Sequence, residues 1–182
     1  MSAQQVILVN EADEPIGVMD KMEAHRKALL HRAFSVFIFN SRGEMLLQQR
    51  ADNKYHSPGL WTNACCSHPG PGDETAVAAS RRLQEEMGFT TAIEEVFSFT
   101  YKTAFGNGLT EFEFDHVFTG IYDRAIVPDE QEVKAFCFKS IKEIGQELNK
   151  RPLQYTSWFH IAFPPVREWA SEKFGMIHEI VQ

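Results

Sequence analysis

Apolar and polar residues alternate along several stretches of the chain, and this period of two is typical of β-strands. The mainly apolar stretches AFSVFIFN and MLLQQR are joined by SRGE, where Gly43 supplies the backbone freedom that a tight hairpin turn requires. The predicted strands are QVILVN (5–10), IGVMDK (16–21), AFSVFIFN (33–40), MLLQQR (45–50), EVFSFTYKT (95–103), LTEFEFDHVFTG (109–120) and EVKAFCFKS (132–140).

A period of three to four apolar residues predicts a helix over residues 73–87, with Asp73 as its N-terminal cap and Gly88 as its stop. Its predicted apolar stripe comprises Ala76, Val77, Ser80, Leu83 and Met87.

Two further helices are predicted near the C-terminus. Ser140 and Glu143 form a capping-box pattern for a helix that ends before Pro152. The stretch PPVREWASEKFG (164–175) opens with prolines and closes with a glycine, which favours a helix beginning at its first proline. Together these elements predict an α/β fold (α+β), a mixed and mostly antiparallel sheet layered with helices.

Composition narrows the class of protein. The 182 residues are 43% hydrophobic and 24% charged, which suits one globular domain over residues 1–182. The N-terminus lacks a basic region followed by an apolar run, and no stretch of about 18 apolar residues occurs. We therefore expect a cytoplasmic protein that does not enter a membrane.

Charge and cysteine content limit the partners. The net charge of -7 and the scattered basic residues disfavour a nucleic-acid surface. The three cysteines are an odd number, and two of them adjoin, so we expect reduced thiols. A small anionic ligand would need a local basic pocket, for which the candidates are Lys21, Arg50, Lys54 and Arg82.

The strand over residues 109–120 carries an unusual acidic face. Its alternation places Glu111, Glu113 and Asp115 on one side of the strand and aromatic residues on the other. A solvated strand edge would explain this pattern. A bound cation would also explain it, because neighbouring carboxylates repel one another unless a positive charge offsets them.

Histidines supply further candidate metal ligands. His25 and His31 are six residues apart, a spacing that does not suit one helical face, and each histidine alone is typical of an ordinary surface residue. Together with His68 and the two glutamates they would form a nitrogen and oxygen shell for Zn²⁺, Mn²⁺ or Mg²⁺.

The segment WTNACCSHP (61–69) is compatible with either a structural or a catalytic role. Cys65, Cys66 and His68 could form half of a structural zinc site, or one thiol could exchange protons in a reaction. On the helix that follows, Arg81, Glu85 and Glu86 form either a solvated charged face or a carboxylate pair that holds a divalent ion against a diphosphate.

Four stretches together resemble type I isopentenyl-diphosphate delta-isomerases of the Nudix-fold superfamily: WTNACCSHP, AFSVFIFNSRGEMLLQQR, EFEFDHVF and RRLQEEMG. The resemblance extends over nearly the whole chain and implies a Nudix-like fold. Arg81, Glu85, Glu86 and Gly88 match a degraded Nudix box. Ser67, Asp73 and Arg82 depart from that box, which argues against plain hydrolysis.

The resemblance implies an isomerase of isoprenoid biosynthesis that shifts a double bond by protonation and deprotonation, converting isopentenyl to dimethylallyl diphosphate. It implies Cys66 and Glu113 as the acid/base groups, with Tyr101 assisting. One divalent metal would bind to His25, His31, His68, Glu111 and Glu113. Mg²⁺ would bind to Glu86 and the substrate diphosphate. The remaining substrate contacts would come from Lys21, Arg50, Lys54, Arg82 and Trp158.

Two other classes stay open from the residues alone: a Nudix hydrolase that cleaves a diphosphate linkage, and a non-catalytic module stabilised by metal. We expect a monomer, although the sequence does not determine the oligomeric state. It also assigns no role to Asp115 or His116.

Overall fold

The computed structural model describes residues 4–54, 56–105 and 107–175, and within these ranges nine strands form one sheet. The strands are β1 (Gln5–Val9), β2 (Pro15–Asp20), β3 (His31–Phe39), β4 (Met45–Arg50), β5 (Trp61–Thr62), β6 (Cys65–Ser67), β7 (Ile93–Ala104), β8 (Thr110–Ile121) and β9 (Val133–Lys139). Every predicted strand is confirmed, with ends shifted by at most two residues. The sequence missed β5 and β6 because strands of two and three residues are too short to show a period.

Strand β3 is the centre of the sheet. It pairs antiparallel with β1, β4 and β6, and parallel with β8 from His31 opposite Glu113 to Phe39 opposite Ile121. The other strand pairs are antiparallel, which confirms a mixed, mostly antiparallel sheet. The predicted hairpin is confirmed by the antiparallel pairing of Phe39 with Met45.

The described residues also form four α-helices and one short 3-10 helix. The α-helices are α1 (Lys21–Lys27), α2 (Thr75–Met87), α3 (Ile141–Lys150) and α4 (Ser157–Phe174), and the 3-10 helix is Pro152–Gln154. Among the described residues, none of these helices combines the length and the apolar character that crossing a membrane requires.

Helix α1 was not predicted, and Lys21 begins this helix rather than ending the preceding strand. The Asp20 side chain accepts a hydrogen bond from the backbone N–H of Glu23, and Ala28 ends the helix in the left-handed conformation. At seven residues the helix is too short for a clear apolar stripe, so its packing against the sheet decides its formation.

Two details predicted for α2 are wrong. Glu74, not Asp73, is the N-cap residue, because the Asp73 carboxylate accepts from Gly70 N and Arg81 instead. Val77 is 56% exposed, and the buried stripe contains Ala78, Ala79, Leu83, Glu86 and Met87. The predicted stop at Gly88 is confirmed by its positive φ of 77°.

The capping box predicted for α3 is present at Ser140 and Glu143. The predicted start of α4 is wrong, because the helix begins at Ser157 and contains Pro164 and Pro165 in its interior. Proline removes one helical hydrogen bond, but burial of apolar side chains before and after the pair offsets that loss. These side chains are Trp158, Phe159, Ala162, Phe163, Val166 and Ala170.

Helices cover the two faces of the sheet and produce two apolar clusters. One cluster joins Phe34, Val36 and Ile38 of β3 to Leu83 and Met87 of α2. The other joins alternate residues of the same strand to α3 and α4, and includes Phe37, Phe39, Ile144, Phe159 and Phe163. The burial of both faces explains why β3 is apolar at nearly every position.

Candidate active site

A cavity of about 460 Å³ opens at one end of the sheet. The predicted acid/base residues Cys66, Tyr101 and Glu113 all line it. The predicted substrate-binding residues line the same cavity, namely Lys21, Arg50, Lys54, Arg82 and Trp158.

The acidic face of β8 is buried rather than solvated. Glu111, Glu113 and Asp115 are 4%, 6% and 1% exposed, so a strand edge open to water does not explain their pattern. Burial raises the pKa of the Asp115 carboxyl well above its usual value, and the nearby Glu113 carboxylate adds to the effect. The Ser35 hydroxyl donates to Asp115 over 2.7 Å.

Three histidines and one glutamate converge beside the cavity. One ligand atom from each of His25, His31, His68 and Glu113 lies within 4.8 Å of the others. His25 comes from α1, His31 begins β3, and the parallel register places His31 opposite Glu113 on β8. His25 and His31 therefore come together from a helix and a strand. Their spacing of six residues, which does not suit one helical face, is compatible with a shared metal site for this reason.

The chemical state of this cluster fits a divalent metal. Burial, followed by repulsion from His31, lowers the pKa of His25 to about 4. Burial, followed by Lys21, lowers the pKa of His68 to about 3. Neutral imidazoles are the form that binds metals, and within the described residues neither ring nitrogen of His25 has a hydrogen-bond partner.

The orientation of His31 also suits a ligand. Its Nδ1 lies 2.8 Å from the carbonyl oxygen of Leu29, so Nδ1 is the donor to that oxygen and Nε2 is the ring nitrogen that faces the cluster. His31 Nε2 is 3.6 Å from Glu113 Oε1, and His68 Nε2 is 2.9 Å from the same oxygen.

Tyr101 links Glu113 to Glu111. Its hydroxyl lies 2.7 Å from Glu113 Oε2 and 3.1 Å from Glu111 Oε2. Glu111 Oε1 is also 3.3 Å from His56 Nε2, on a residue that the sequence analysis did not select. Burial and the charge of Glu113 raise the pKa of Glu111 well above its usual value, whereas His68 and His31 outweigh burial and lower that of Glu113.

The structure distinguishes the two adjacent cysteines. Cys65 belongs to the apolar cluster under α2, while Cys66 lies opposite Ser35 on β3 and lines the cavity. The Cys66 thiol donates to Asn63 Oδ1 over 3.1 Å. Burial, followed by the Asp115 charge, raises the pKa of Cys66 to about 12, so the thiol is protonated at neutral pH.

A basic part of the cavity lies beside α2. Glu86 is 4% exposed, and its two oxygens contact Gln48 Nε2 at 2.8 Å and Arg82 Nε at 2.7 Å. Arg82 and Lys54 both pair with Glu132. These contacts bring Arg82 and Lys54, which are distant in the sequence, to one carboxylate.

Arg50 and Trp158 lie together at the wall of the cavity. The guanidinium carbon of Arg50 is 5.3 Å from the centroid of the Trp158 ring. The Arg50 side chain also donates to the carbonyl oxygens of His56 and Ser57, both at 3.2 Å. An aromatic face next to a fixed cation suits a ligand that has an apolar tail and an anionic head.

The sequence did not indicate Ser35, His56 and Glu132, which are among the residues that line the cavity, or Asn63, which contacts the cavity thiol. None of them belongs to a spaced cluster of ligands or acids. The signal that identifies them is their contact with Asp115, Trp158, Lys54 and Cys66, respectively, and that signal exists only in the folded chain.

The fold and this site define the class of protein. A model of the NUDIX domain matches residues 29–159. The fold resembles the crystal structure of DR0079 from Deinococcus radiodurans, with a TM-score of 0.72 at 17% identity over 93% of this chain and 98% of that one. The chain is a NUDIX-domain protein with a histidine and carboxylate cluster at the edge of its cavity.

Close relatives narrow this class. An isopentenyl-diphosphate Delta-isomerase of Pectobacterium atrosepticum is 49% identical over 93% of this chain and 94% of its own length. Another from Burkholderia multivorans is 44% identical over 92% of this chain and 98% of its own length. The chain belongs to the type I isopentenyl-diphosphate delta-isomerase family, as its motifs predicted.

Proposed function

We propose that the chain interconverts isopentenyl diphosphate and dimethylallyl diphosphate. The observation that carries this proposal is a single cavity lined by a protonated thiol, a carboxylate within a histidine cluster, and several basic side chains. Membership of the isomerase family supports the same reaction. Hydrolysis of a diphosphate linkage does not require a thiol and a carboxylate in one cavity.

The reaction adds one proton to the terminal alkene carbon and removes another from the methylene carbon on the other side of the branched carbon, one carbon away from the carbon that bears the diphosphate. A tertiary carbocation forms between these two steps. Cys66 is one group that exchanges a proton with the substrate, and Glu113, with Tyr101 as its hydrogen-bond donor, is the other. Both are buried or half-buried, which limits the water that would trap the cation.

Trp158 stabilises the positive charge through its ring face, an effect of roughly 2 kcal/mol in a dry site. The apolar tail of the substrate offers little binding energy, so most affinity comes from the diphosphate. Lys21, Arg50, Lys54 and Arg82 supply that affinity through charge-assisted hydrogen bonds.

Two metal sites complete the proposal. The cluster of His25, His31, His68 and Glu113, with Glu111 beside it, would hold one divalent ion, and its nitrogen content suits Zn²⁺ or Mn²⁺ better than Mg²⁺. Glu86 would hold Mg²⁺ together with the diphosphate. Bound metals would supply positive charge that fixes Glu113 and neutralises the phosphate oxygens.

The test is incubation with isopentenyl diphosphate and Mg²⁺ in D₂O. We expect deuterated dimethylallyl diphosphate from the wild-type chain, and none from the folded variants Cys66→Ala and Glu113→Gln. Release of phosphate from nucleoside diphosphate compounds without any alkene shift would instead identify a hydrolase. An inert protein whose melting temperature collapses on chelation would identify a binding module.

The expected monomer stays a prediction. Light scattering of the purified chain would test it.

A further inference from the structure

A carboxylate already lies among the basic groups that would hold the diphosphate. The Glu132 side chain is 24% exposed, and Glu132 lines the cavity. One of its oxygens, Oε2, pairs with Lys54 Nζ and also lies 2.9 Å from Arg82 Nη2. The internal carboxylate and an incoming phosphate therefore require the same two donors.

Arg82 is surrounded by carboxylates on every side of its guanidinium group. Nε contacts Glu86 at 2.7 Å, Nη1 contacts Glu85 at 3.1 Å, and Nη2 contacts Glu132 at 2.9 Å. A phosphate group binds arginine best through two parallel N–H donors. Three of the five guanidinium N–H groups of Arg82 already face carboxylates, so a diphosphate competes with these carboxylates for Arg82.

Glu132 is the carboxylate whose displacement would release the most positive charge. The Glu86 carboxylate is also held by Gln48, and the exposed Glu85 contacts Arg82 alone among these cations. Glu132 binds both Lys54 and Arg82, so its displacement frees two cations at once.

The backbone holds Glu132 in this position. Its N–H donates to the carbonyl oxygen of Asp129 over 3.0 Å, and its own carbonyl oxygen accepts from Ala51 N over 3.0 Å. Asp129 N in turn donates to the carbonyl oxygen of Glu86 over 2.9 Å. Burial opposes ionisation of Glu132, but Lys54 and Arg82 outweigh it and lower its pKa, so the side chain is charged at neutral pH.

We propose that Glu132 is an internal counter-anion that occupies part of the diphosphate position and must be displaced before a diphosphate binds. Glu132 therefore sets the affinity of the cavity for its anionic ligand without exchanging a proton with the substrate. A second consequence concerns product release. When the product leaves, Glu132 pairs again with Lys54 and Arg82, and these ion pairs stabilise the ligand-free state of the cavity. This inference rests on the proposed function only for the identity of the ligand.

The test is calorimetric titration of the full chain with inorganic pyrophosphate, with and without Mg²⁺. Glu132→Gln keeps the shape and the backbone contacts of the residue but removes its charge. We expect pyrophosphate to bind Glu132→Gln roughly fivefold to thirtyfold more tightly than wild type, because two partly exposed ion pairs no longer compete. The KM for isopentenyl diphosphate should fall in the same direction.

Glu130→Gln is the matched control. Glu130 is exposed in the same turn, so this variant changes net charge equally and should leave the affinity within about twofold of wild type. Unchanged pyrophosphate affinity in Glu132→Gln would overturn the proposal. Weaker binding in the presence of Mg²⁺ would also overturn it, because Glu132 would then act as a ligand of Mg²⁺.

These outcomes are separate from failure of the proposed function. If wild type binds pyrophosphate but Glu132→Gln binds no more tightly, only the counter-anion proposal is wrong. The D₂O assay then tests the proposed function independently. If neither wild type nor Glu132→Gln binds pyrophosphate, the assigned diphosphate position and the counter-anion proposal are both wrong, while the D₂O assay alone decides the proposed function.

Discussion

Asn63 accepts a hydrogen bond from the thiol of Cys66, with 3.1 Å between Oδ1 and Sγ. The orientation of the Asn63 amide is determined by its other contacts. Its Nδ2 donates to the carbonyl oxygens of Val36, at 3.0 Å, and Cys65, at 2.8 Å. Because the nitrogen faces two acceptors, the amide oxygen must face the thiol.

The first prediction follows from this contact. Asn63→Ala should lower kcat by roughly tenfold to a hundredfold, because a displaced thiol loses its alignment with the substrate. It should also destabilise the fold by about 1–3 kcal/mol, since two buried carbonyl groups lose their donor. Steady-state kinetics on the folded fraction and urea denaturation measure the two effects. Asn149→Ala, at an exposed position on α3, is the control. An unchanged kcat in folded Asn63→Ala would contradict the prediction.

The Tyr101 hydroxyl is the subject of the second prediction. It has one proton, which it donates toward Glu113 over 2.7 Å. Tyr101→Phe should lower kcat about a hundredfold with little change in stability, because the ring keeps its contact with Phe99. Tyr122→Phe removes a hydroxyl that donates to the Ala125 carbonyl, and should retain full activity. A Tyr101→Phe enzyme as active as that control would exclude a role for the hydroxyl.

Metal removal provides the third prediction. A chelator should lower the melting temperature of the wild-type chain by roughly 10 °C, because an ion present at about a thousandfold its dissociation constant stabilises by about 4 kcal/mol. His25→Ala should contain no tightly bound ion and should not respond to the chelator. His160→Ala, whose ring contacts the Pro152 carbonyl instead, should keep the ion. Elemental analysis that finds equal metal in His25→Ala and wild type would show that the cluster is not the site.

Trp158 is tested by comparing two substitutions. Trp158→Leu should lower kcat roughly thirtyfold through loss of the ring face, while Trp158→Phe retains most activity. Pyrophosphate affinity should change much less than kcat, because the proposed function assigns the ring to the apolar part of the substrate, which pyrophosphate lacks. If affinity and kcat fall together in Trp158→Leu, the main role of the ring is to hold Arg50 in place.

A pH dependence follows from the ion pairs of Glu132. Its pKa is lowered in the folded state, so these pairs stabilise the fold above the ordinary glutamate pKa. The stability is lost as the pH falls through the lower, folded value. Glu132→Gln should therefore be less stable than wild type at pH 7, by about 1 kcal/mol or less because the pairs are partly exposed. Urea denaturation should show the difference shrinking between pH 5 and pH 3. A difference that does not vary with pH would mean that the charge of Glu132 does not stabilise the fold.

Local patterns were sufficient for most of the secondary structure. Strands such as β8 and β9 alternate in polarity because successive side chains point to opposite faces, and β3 shows as a short apolar run; both patterns are visible without any knowledge of the fold. The C-terminal end of α2 and the start of α3 were equally visible, since Gly88 and the Ser140–Glu143 pair act on adjacent backbone. The start of α4 was not visible, because prolines are typical of the first turn of a helix. Only the buried residues that precede them show that the helix begins earlier.

The sequence by itself determined which residue types were available: the acidic alternation of β8, the paired cysteines, the histidines and the family motifs. Only the tertiary structure decided how they meet. It put Cys66 rather than Cys65 at the cavity, brought His25 to His31 from a helix and a strand, and placed Glu132 between Lys54 and Arg82. The physical reason is that these contacts join residues far apart in the chain, and long-range packing and strand register leave no period in the sequence.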